Sequence, residues 1–252
     1  MSVEIDGLTY VVATDDEGVA RNIFLRSSRP EFIVLPRALR LLGPDAARGC
    51  FVDVGANIGT TTIPAVARHG FDTAVACEPS PSNTPLLRAT CALNGVADRV
   101  RIVEAAVSAA RGTLEFDVSK TPGRHKVAAA GAGATLTVPA VSLDALAADG
   151  VLTPADVGLL WIDAQGHEPE VLPGAASLLG RRVPVVTAIR RHKLARTGTA
   201  DALASLFESY DTFVDLREPH LDEAGWEPTL RPAATLREWL HESPKTTDVV
   251  IY

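Results

Sequence analysis

The feature that most limits how this chain can fold is a short apolar run that stops on a glycine. Cys50-Phe51-Val52-Asp53-Val54 has strand-forming character, and Gly55-Ala56-Asn57-Ile58-Gly59 follows it directly. An apolar run bounded in this way suits a strand buried on both faces, as in a parallel sheet. The two glycines let the backbone turn sharply and let a ligand approach closely. Gly59 to Arg68 then has helical spacing and closes on His69-Gly70, and Thr73 to Cys77 forms the next strand, ending at Glu78. Ligands of open α/β sheets bind beyond the carboxyl ends of the strands. Two acids, Asp53 and Glu78, stand at such ends.

The turn discriminates between cofactors. A dinucleotide brings a pyrophosphate that must nearly touch it. Asn57 occupies the place where such sites usually need a second glycine; it tolerates left-handed geometry but adds bulk, and Asp53 repels a phosphate. S-adenosylmethionine carries an ammonium and a sulfonium and no phosphate, so nearby carboxylates favour it. Glu78 is suited to accept hydrogen bonds from the two ribose hydroxyls, being acceptor-only when ionised. The plain alternative is a tight strand–helix connection without a ligand.

Strands and helices continue to alternate. Ser80-Pro81 opens a helix to Asn94-Gly95; Val100 to Val107, Gly112 to Val118 and Thr135 to Val141 read as strands, and Ser142 caps a helix through Ala148. Val157 to Ile162 is the most apolar strand, Glu168 to Leu179 a helix, and Val183 to Ile189 a strand. A helix at Ala200 to Tyr210, a strand at Thr212 to Leu216, a helix at Thr235 to His241 and a strand at Thr247 to Tyr252 complete the chain. The expected fold is an α/β, Rossmann-like, mostly parallel sheet with helices on both faces. Before it, Val3 to Val12 and Val19 to Leu25 read as a β-hairpin and Phe32 to Leu42 as a helix. Residues 1–48 are thus an extension too small for its own core, packed on a main domain of residues 49–252. Ser119 to Ala134 and Pro219 to Arg231 read as loops that shape a pocket.

Composition narrows the class. The chain has 252 residues, 46% hydrophobic and 22% charged, as in a globular protein. It lacks ~18 consecutive uncharged apolar residues, so no membrane span is expected. The acidic start, with Glu4 and Asp6, does not look like a secretory leader. Three cysteines, Cys50, Cys77 and Cys91, suit buried thiols in a reducing cytoplasm. A net charge of −7 argues against a nucleic-acid partner.

Five segments carry a resemblance to one family. FVDVGANIG, CEPSPSNTPLLRATCALNG, VEAAVSAARGTLEF, VSLDAL and LLWIDAQGHEPEVLPGA resemble the FkbM methyltransferases, from Phe51 to Val186, and the closing TTDVVIY fits as well. The resemblance implies S-adenosylmethionine as methyl donor and a small-molecule hydroxyl as acceptor, on a secondary metabolite or sugar in natural product biosynthesis. Carried over by position, it places the cofactor at Asp53, Gly55, Ala56, Asn57, Gly59 and Glu78, with Ser80, Asn83, Glu104, Ala105 and Ala106 near ribose and adenine. The segment Asp163-Ala164-Gln165-Gly166-His167-Glu168 resembles the family's Asp-x-x-Gly-x-Glu, which puts Asp163 beside the sulfonium and His167 near the acceptor. An imidazole can take a hydroxyl proton as the methyl transfers; Asp163 and Glu168 are the other candidate catalytic groups. These three lack the spacing of a known metal site, and no metal is expected. Family members often carry a glutamate late in the strand matched here by Val183 to Ile189, where this chain has Ala188. That absence keeps open a protein that binds the cofactor without turnover. An NAD-dependent oxidoreductase is a third reading, opposed by Asn57 and Asp53. Arg190-Arg191-His192-Lys193 is either a solvated strand exit or a grip on an anionic substrate group. Cys77, Trp226 and Trp239 read as packing residues.

Overall fold

The chain enters through an antiparallel hairpin, β1 (Ser2–Ile5) and β2 (Leu8–Val11), in a computed structural model that describes residues 1–16, 18–26, 30–118, 125–128, 133–218, 225–242 and 246–252. Helices α1 (Val19–Arg26) and α2 (Glu31–Leu42) follow. Then β3 (Cys50–Val54), α3 (Thr62–Ala67), β4 (Thr73–Cys77), α4 (Thr84–Leu93) and β5 (Val100–Val103) alternate. A smaller sheet is built from β6 (Ala106–Val107), β7 (Gly112–Asp117), β8 (Lys126–Val127) and β9 (Thr135–Val141). Helix α5 (Leu143–Ala148) leads to β10 (Val157–Ile162), short helices α6 (Glu168–Val171) and α7 (Ala176–Leu179), β11 (Val185–Arg190), α8 (Arg191–Thr197) and α9 (Ala200–Ser205). The chain closes with β12 (Thr212–Asp215), β13 (Arg231–Pro232), α10 (Leu236–Glu242) and β14 (Thr246–Ile251).

The main sheet has eight strands in the order β13-β12-β14-β11-β10-β3-β4-β5. Strands β11, β10, β3, β4 and β5 run parallel, while β14 is antiparallel to both β11 and β12. From β3 the chain crosses to β4 and β5 on one side, and β10 lies on the other. The topological switch therefore falls between β3 and β10, where open sheets bind ligands. Alternate residues feed two cores: Leu159 and Trp161 pack with Phe51 and Ile63 on one face, Leu160 and Ile162 with Val52 and Leu178 on the other. This is the Rossmann-like, mostly parallel sheet the sequence predicts. Trp226 and Trp239 are buried, as expected. No helix among the described residues is long and apolar enough to cross a membrane.

Several local expectations give way. The run Val3 to Val12 is itself the hairpin, turned at Asp6-Gly7 with both φ positive, at 49° and 69°. That suits the primed turns of hairpins, which Asp-Gly favours. Val19 to Leu25, expected as a strand, lies within helix α1: the Asp16 side chain accepts from Gly18 N at 2.7 Å, and Val19 and Ile23 are buried one turn apart. The helix expected from Ser80 begins only at Thr84, because Ser80 is turned back toward Glu78. The helix expected over Glu168 to Leu179 is interrupted by a 3-10 turn at Leu172–Ala175. Pro173 lies within that turn, and a Cβ on Gly174 would lie 2.5 Å from Ser108 O, so the segment presses against its neighbour. The run Val100 to Val107 splits at Glu104-Ala105, and β11 passes directly into α8 where a solvated exit is one expectation. The Ser119 to Ala134 and Pro219 to Arg231 loops lie partly outside the described residues; the described parts include β8 and β13.

The hairpin docks on the end of α4. Thr9 N donates to Asn94 Oδ1 at 2.9 Å, Asn94 Nδ2 returns to Thr9 O at 2.6 Å, and Val11 N donates to Thr90 Oγ1 at 3.1 Å. Away from the switch point, Gly158 on β10 faces the segment before β3. A Cβ there would lie 2.3 Å from Arg48 O and 2.6 Å from Ala46 O, at the place where the β10–β3 register shifts. Gly158→Ala is expected to destabilise the fold by about 1–3 kcal/mol, the usual cost of overpacking. A urea denaturation midpoint equal to that of the parent protein would contradict this close packing.

Candidate functional site

Three strand ends are stitched together at the switch point. Gly55 N and Ala56 N both donate to Cys77 O, at 2.9 and 3.1 Å, and Asp163 N donates to Val54 O at 2.9 Å. Gly55 has φ 88°, and a Cβ on it would lie 2.3 Å from Asp163 O. The glycine is therefore required for β3 and β10 to close on each other, before any ligand is considered. Gly59 is tight as well: its Cβ would meet Ile63 Cγ1 and Leu87 Cδ1 at 2.9 Å. Ala56 is buried in the same core.

Asn57 takes the left-handed geometry the sequence allows it, with φ 52°. Its N–H donates to Glu78 Oε2 at 2.8 Å, while Glu78 Oε1 accepts from Ser80 N at 2.9 Å and from Asn83 Nδ2 at 3.3 Å. Glu78 thus clasps the glycine turn to the start of α4. An ionised carboxylate offers about four acceptor sites; three are used, leaving one on Oε2. Burial pushes the Glu78 carboxyl up, against the pull of the donors from Ser80, Asn57 and Asn83.

Above these strand ends lies a cleft of about 940 Å³. Gly55, Asn57, Glu78, Asn83 and Asp163 line it, together with Glu31, Arg217 and Asp248. Asp53 does not line it. Its side chain is fully buried beneath the floor, where Oδ2 accepts from Thr62 Oγ1 at 2.5 Å. Burial pushes Asp53 up to about 7; Thr62 opposes the shift, and the charges of Asp163, Glu31 and Glu78 add to it. Asp53 Oδ1 and Asn57 Oδ1 are buried acceptors with no donor among the described residues. The acids that do line the cleft, Glu31, Glu78, Asp163 and Asp248, favour a ligand with ammonium or hydroxyl donors over a phosphate.

The weaker cofactor candidates separate. Ala106 lines the cleft, and Ser80 is buried at its edge, where its hydroxyl meets Ser82 Oγ at 2.8 Å and His125 Nδ1 at 3.0 Å. Ala105 packs into the core. Glu104 points outward and pairs with Arg88.

Asp163 and His167 both line this cleft; Glu168 does not. Asp163 Oδ1 is 3.3 Å from Arg190 Nη2. His167 Nε2 lies 3.2 Å from Ser108 Oγ, and Nδ1 is 3.6 Å from Glu170 Oε2. Burial holds the imidazole below its usual range, against the pull of Glu170, so the ring is neutral near pH 7. Glu168 is buried and accepts from Gly166 N at 2.9 Å; burial pushes it up to about 7. Among the described residues no three of His, Cys, Asp and Glu converge as metal ligands.

Sequence reading did not single out Glu31, His125, Arg217 or Asp248, all of which line the cleft. Asp248 is the most informative. It stands in register with Ala188 on the neighbouring strand, is ion-paired with Arg217, and is pushed up to about 6 by burial. A cross-strand neighbour shares the same sheet face, so a carboxylate stands beside the position where Ala188 offers none. Only a charged residue inside the apolar closing strand, TTDVVIY, hints at it in sequence.

Residues 53–218 match the family described as Methyltransferase FkbM domain. No curated protein matches the chain. The fold is similar to that of methyltransferase FkbM from Methylobacillus flagellatus KT, with a TM-score of 0.51 at 14% identity over 82% of this chain and 44% of that one. This chain thus spans less than half the length of that protein. An O-methyltransferase from Bacillus cereus in complex with SAH aligns with a TM-score of 0.43 at 12% identity, over 95% of this chain and 84% of that one.

The buried Asp53 gives a pH test. Its folded pKa, about 7, lies above the ordinary carboxylate value, so the folded state holds the proton more tightly than the unfolded one. Its contribution is therefore most favourable at acid pH and is lost as pH rises toward 7. Asp53→Asn, which keeps an acceptor for Thr62, is expected to raise the melting temperature relative to the parent protein at pH 8 and not at pH 4. An equal shift at both values would show that Asp53 is ionised throughout.

Proposed function

This chain belongs to the FkbM family of S-adenosylmethionine-dependent methyltransferases, and we propose that it methylates a hydroxyl of a small molecule, a secondary metabolite or sugar. The observation that carries this reading is that one cleft is lined both by Glu78, with its open acceptor site, and Asp163, and by the neutral imidazole of His167.

S-adenosylmethionine supplies an electrophilic methyl group on a cationic sulfur. Glu78 Oε2, with its one open acceptor site, holds a ribose hydroxyl; the rest of the carboxylate fixes Asn57, Ser80 and Asn83 around it. Asn57, which lines the cleft beside Glu78, would help hold the cofactor. Asp163, at the end of β10 and lining the cleft, would offer negative charge to the cofactor's cationic groups. His167 takes the hydroxyl proton, for which a neutral ring is required. Asp248, across from Ala188, supplies a second carboxylate on the acceptor side, which supports turnover over binding alone. Most of the remaining acceleration comes from holding the acceptor oxygen in line with the methyl group. The reading is tested by incubating the protein with labelled S-adenosylmethionine and a panel of hydroxylated metabolites, with products read by mass spectrometry. Cofactor binding with no methylated product across the panel would favour a binding protein.

Two variants separate binding from chemistry. Glu78→Ala is expected to weaken S-adenosylmethionine and S-adenosylhomocysteine alike, by at least ~10-fold or ~1.4 kcal/mol, since both carry the ribose. Strong discrimination between the two in calorimetry would refute the ribose role. His167→Ala is expected to lower turnover by ~100- to 10,000-fold with cofactor affinity intact. The alkaline rise of kcat, with a midpoint below the ordinary histidine value, is expected to vanish with it. Full turnover of His167→Ala at pH 7 would assign the proton to another acceptor.

A further inference from the structure

A second cleft, of about 890 Å³, adjoins the first and shares with it Lys126, Val127, Ala164, Gln165 and His167. In a chain of net charge −7 its wall is cationic: Lys126 on β8, Arg190 at the end of β11, and Lys193 and Arg196 on α8. The fold neutralises this cluster only in part. Arg190 Nη2 reaches Asp163 Oδ1 at 3.3 Å and donates to Gln165 Oε1 at 2.9 Å, but its Nε is buried with no acceptor among the described residues. Lys193 donates to a neutral group, the Gln165 carbonyl. Lys126 and Arg196 have no hydrogen-bond or ion-pair partner among the described residues.

The acids of the cleft are Glu168 and Glu170. Glu170 lies 3.6 Å from the neutral His167 ring and is half-exposed to solvent, and Glu168 is part-protonated near pH 7, its carboxyl having been pushed up to about 7. Burial, together with the like charges of Arg190, Lys126 and Arg196, holds the Lys193 ammonium below its usual range, and Glu168 only partly opposes this. Four cations on one wall, only partly countered by Asp163, Glu168 and Glu170, are what a site for an anion looks like before it is filled. Gly166 lets the Lys193 side chain pack against the turn: a Cβ there would lie 2.2 Å from Lys193 Nζ.

We propose that this second cleft binds an oxyanion carried by the methyl acceptor, a phosphate or a carboxylate, so that the substrate class is an anionic hydroxylated molecule. The proposal rests on the first cleft being the methyl-transfer site. His167 lines both clefts, so one small molecule can place its anion among the cations and its hydroxyl at the imidazole. Arginine suits planar, bidentate recognition of either oxyanion.

The test uses the whole chain and two probes, inorganic phosphate and acetate, titrated by calorimetry, with S-adenosylhomocysteine titrated in parallel. Saturable binding of one probe that weakens with added KCl is expected. Binding is also expected to fall at least tenfold in both Arg196→Glu, an exposed position, and Lys193→Gln. Phosphate binding assigns a phosphorylated acceptor, and acetate binding a carboxylated one. Binding of neither probe, or affinity unchanged in both variants, would overturn the proposal. Loss of S-adenosylhomocysteine binding with probe binding intact would instead refute the reading of the first cleft. Once an acceptor is known, Arg196→Glu is expected to raise its KM and leave kcat nearly unchanged; an effect on kcat alone would also overturn the anion role.

Discussion

The closure of three parallel strand ends around Gly55 sets up everything that follows. Without a side chain there, the Asp163 carbonyl can approach to where a Cβ would sit, while Gly55 and Ala56 donate to Cys77 O and Asp163 donates to Val54 O across the gap. That closure fixes the level of the cleft floor. It puts Asp53 under the floor and Asn57 and Glu78 at its rim, and it aims the segment after β10 toward the second cleft. A glycine in this turn is usually credited to the ligand; here the strand packing already demands it.

Around that point the fold concentrates carboxyl groups in poorly solvated positions. Asp53, Glu168 and Asp248 all have raised pKa values from burial, and each also feels the charge of Asp163. Such a set is costly without positive charge nearby. Arg217 and Arg190 supply part of it. A cationic cofactor would supply the rest, so stability and binding are coupled through the same groups. A few ångströms of backbone beyond Asp163 the sign reverses: Gln165 and Gly166 turn the chain with φ of 55° and 98°, and Lys193 packs against them. The two clefts thus hold opposite charge on either side of one turn, an asymmetry able to orient a substrate that has an anion at one end and a hydroxyl at the other.

Much of this was legible from local pattern. The β3 run, the glycine turn, the acid after β4 and the apolar β10 each carry their meaning in a few consecutive residues, because a buried parallel strand needs continuous apolar character and a sharp turn needs glycine. The misread elements were those with competing local signals. Val19 to Leu25 has β-branched residues but is held helical by an Asp16 turn and by burial of Val19 and Ile23 one turn apart. Ser80-Pro81 has the chemistry of a helix start, yet Glu78 captures Ser80 N and delays the helix to Thr84. In both cases a side chain a few residues away outcompeted propensity.

The sequence by itself determined the fold class, the switch-point turn, the acids Asp53, Glu78 and Asp163, and the family to which they belong, since each is written in contiguous residues with a fixed period. Only the tertiary structure decided which of those acids faces the cleft, that Asp248 stands beside Ala188, and that Lys126, Arg190, Lys193 and Arg196 share one wall. Those relations join residues up to about half the chain apart, and they depend on strand order and on the register of β14 against β11. Register is set by which faces are buried when all the strands pack together, and no single segment carries that information.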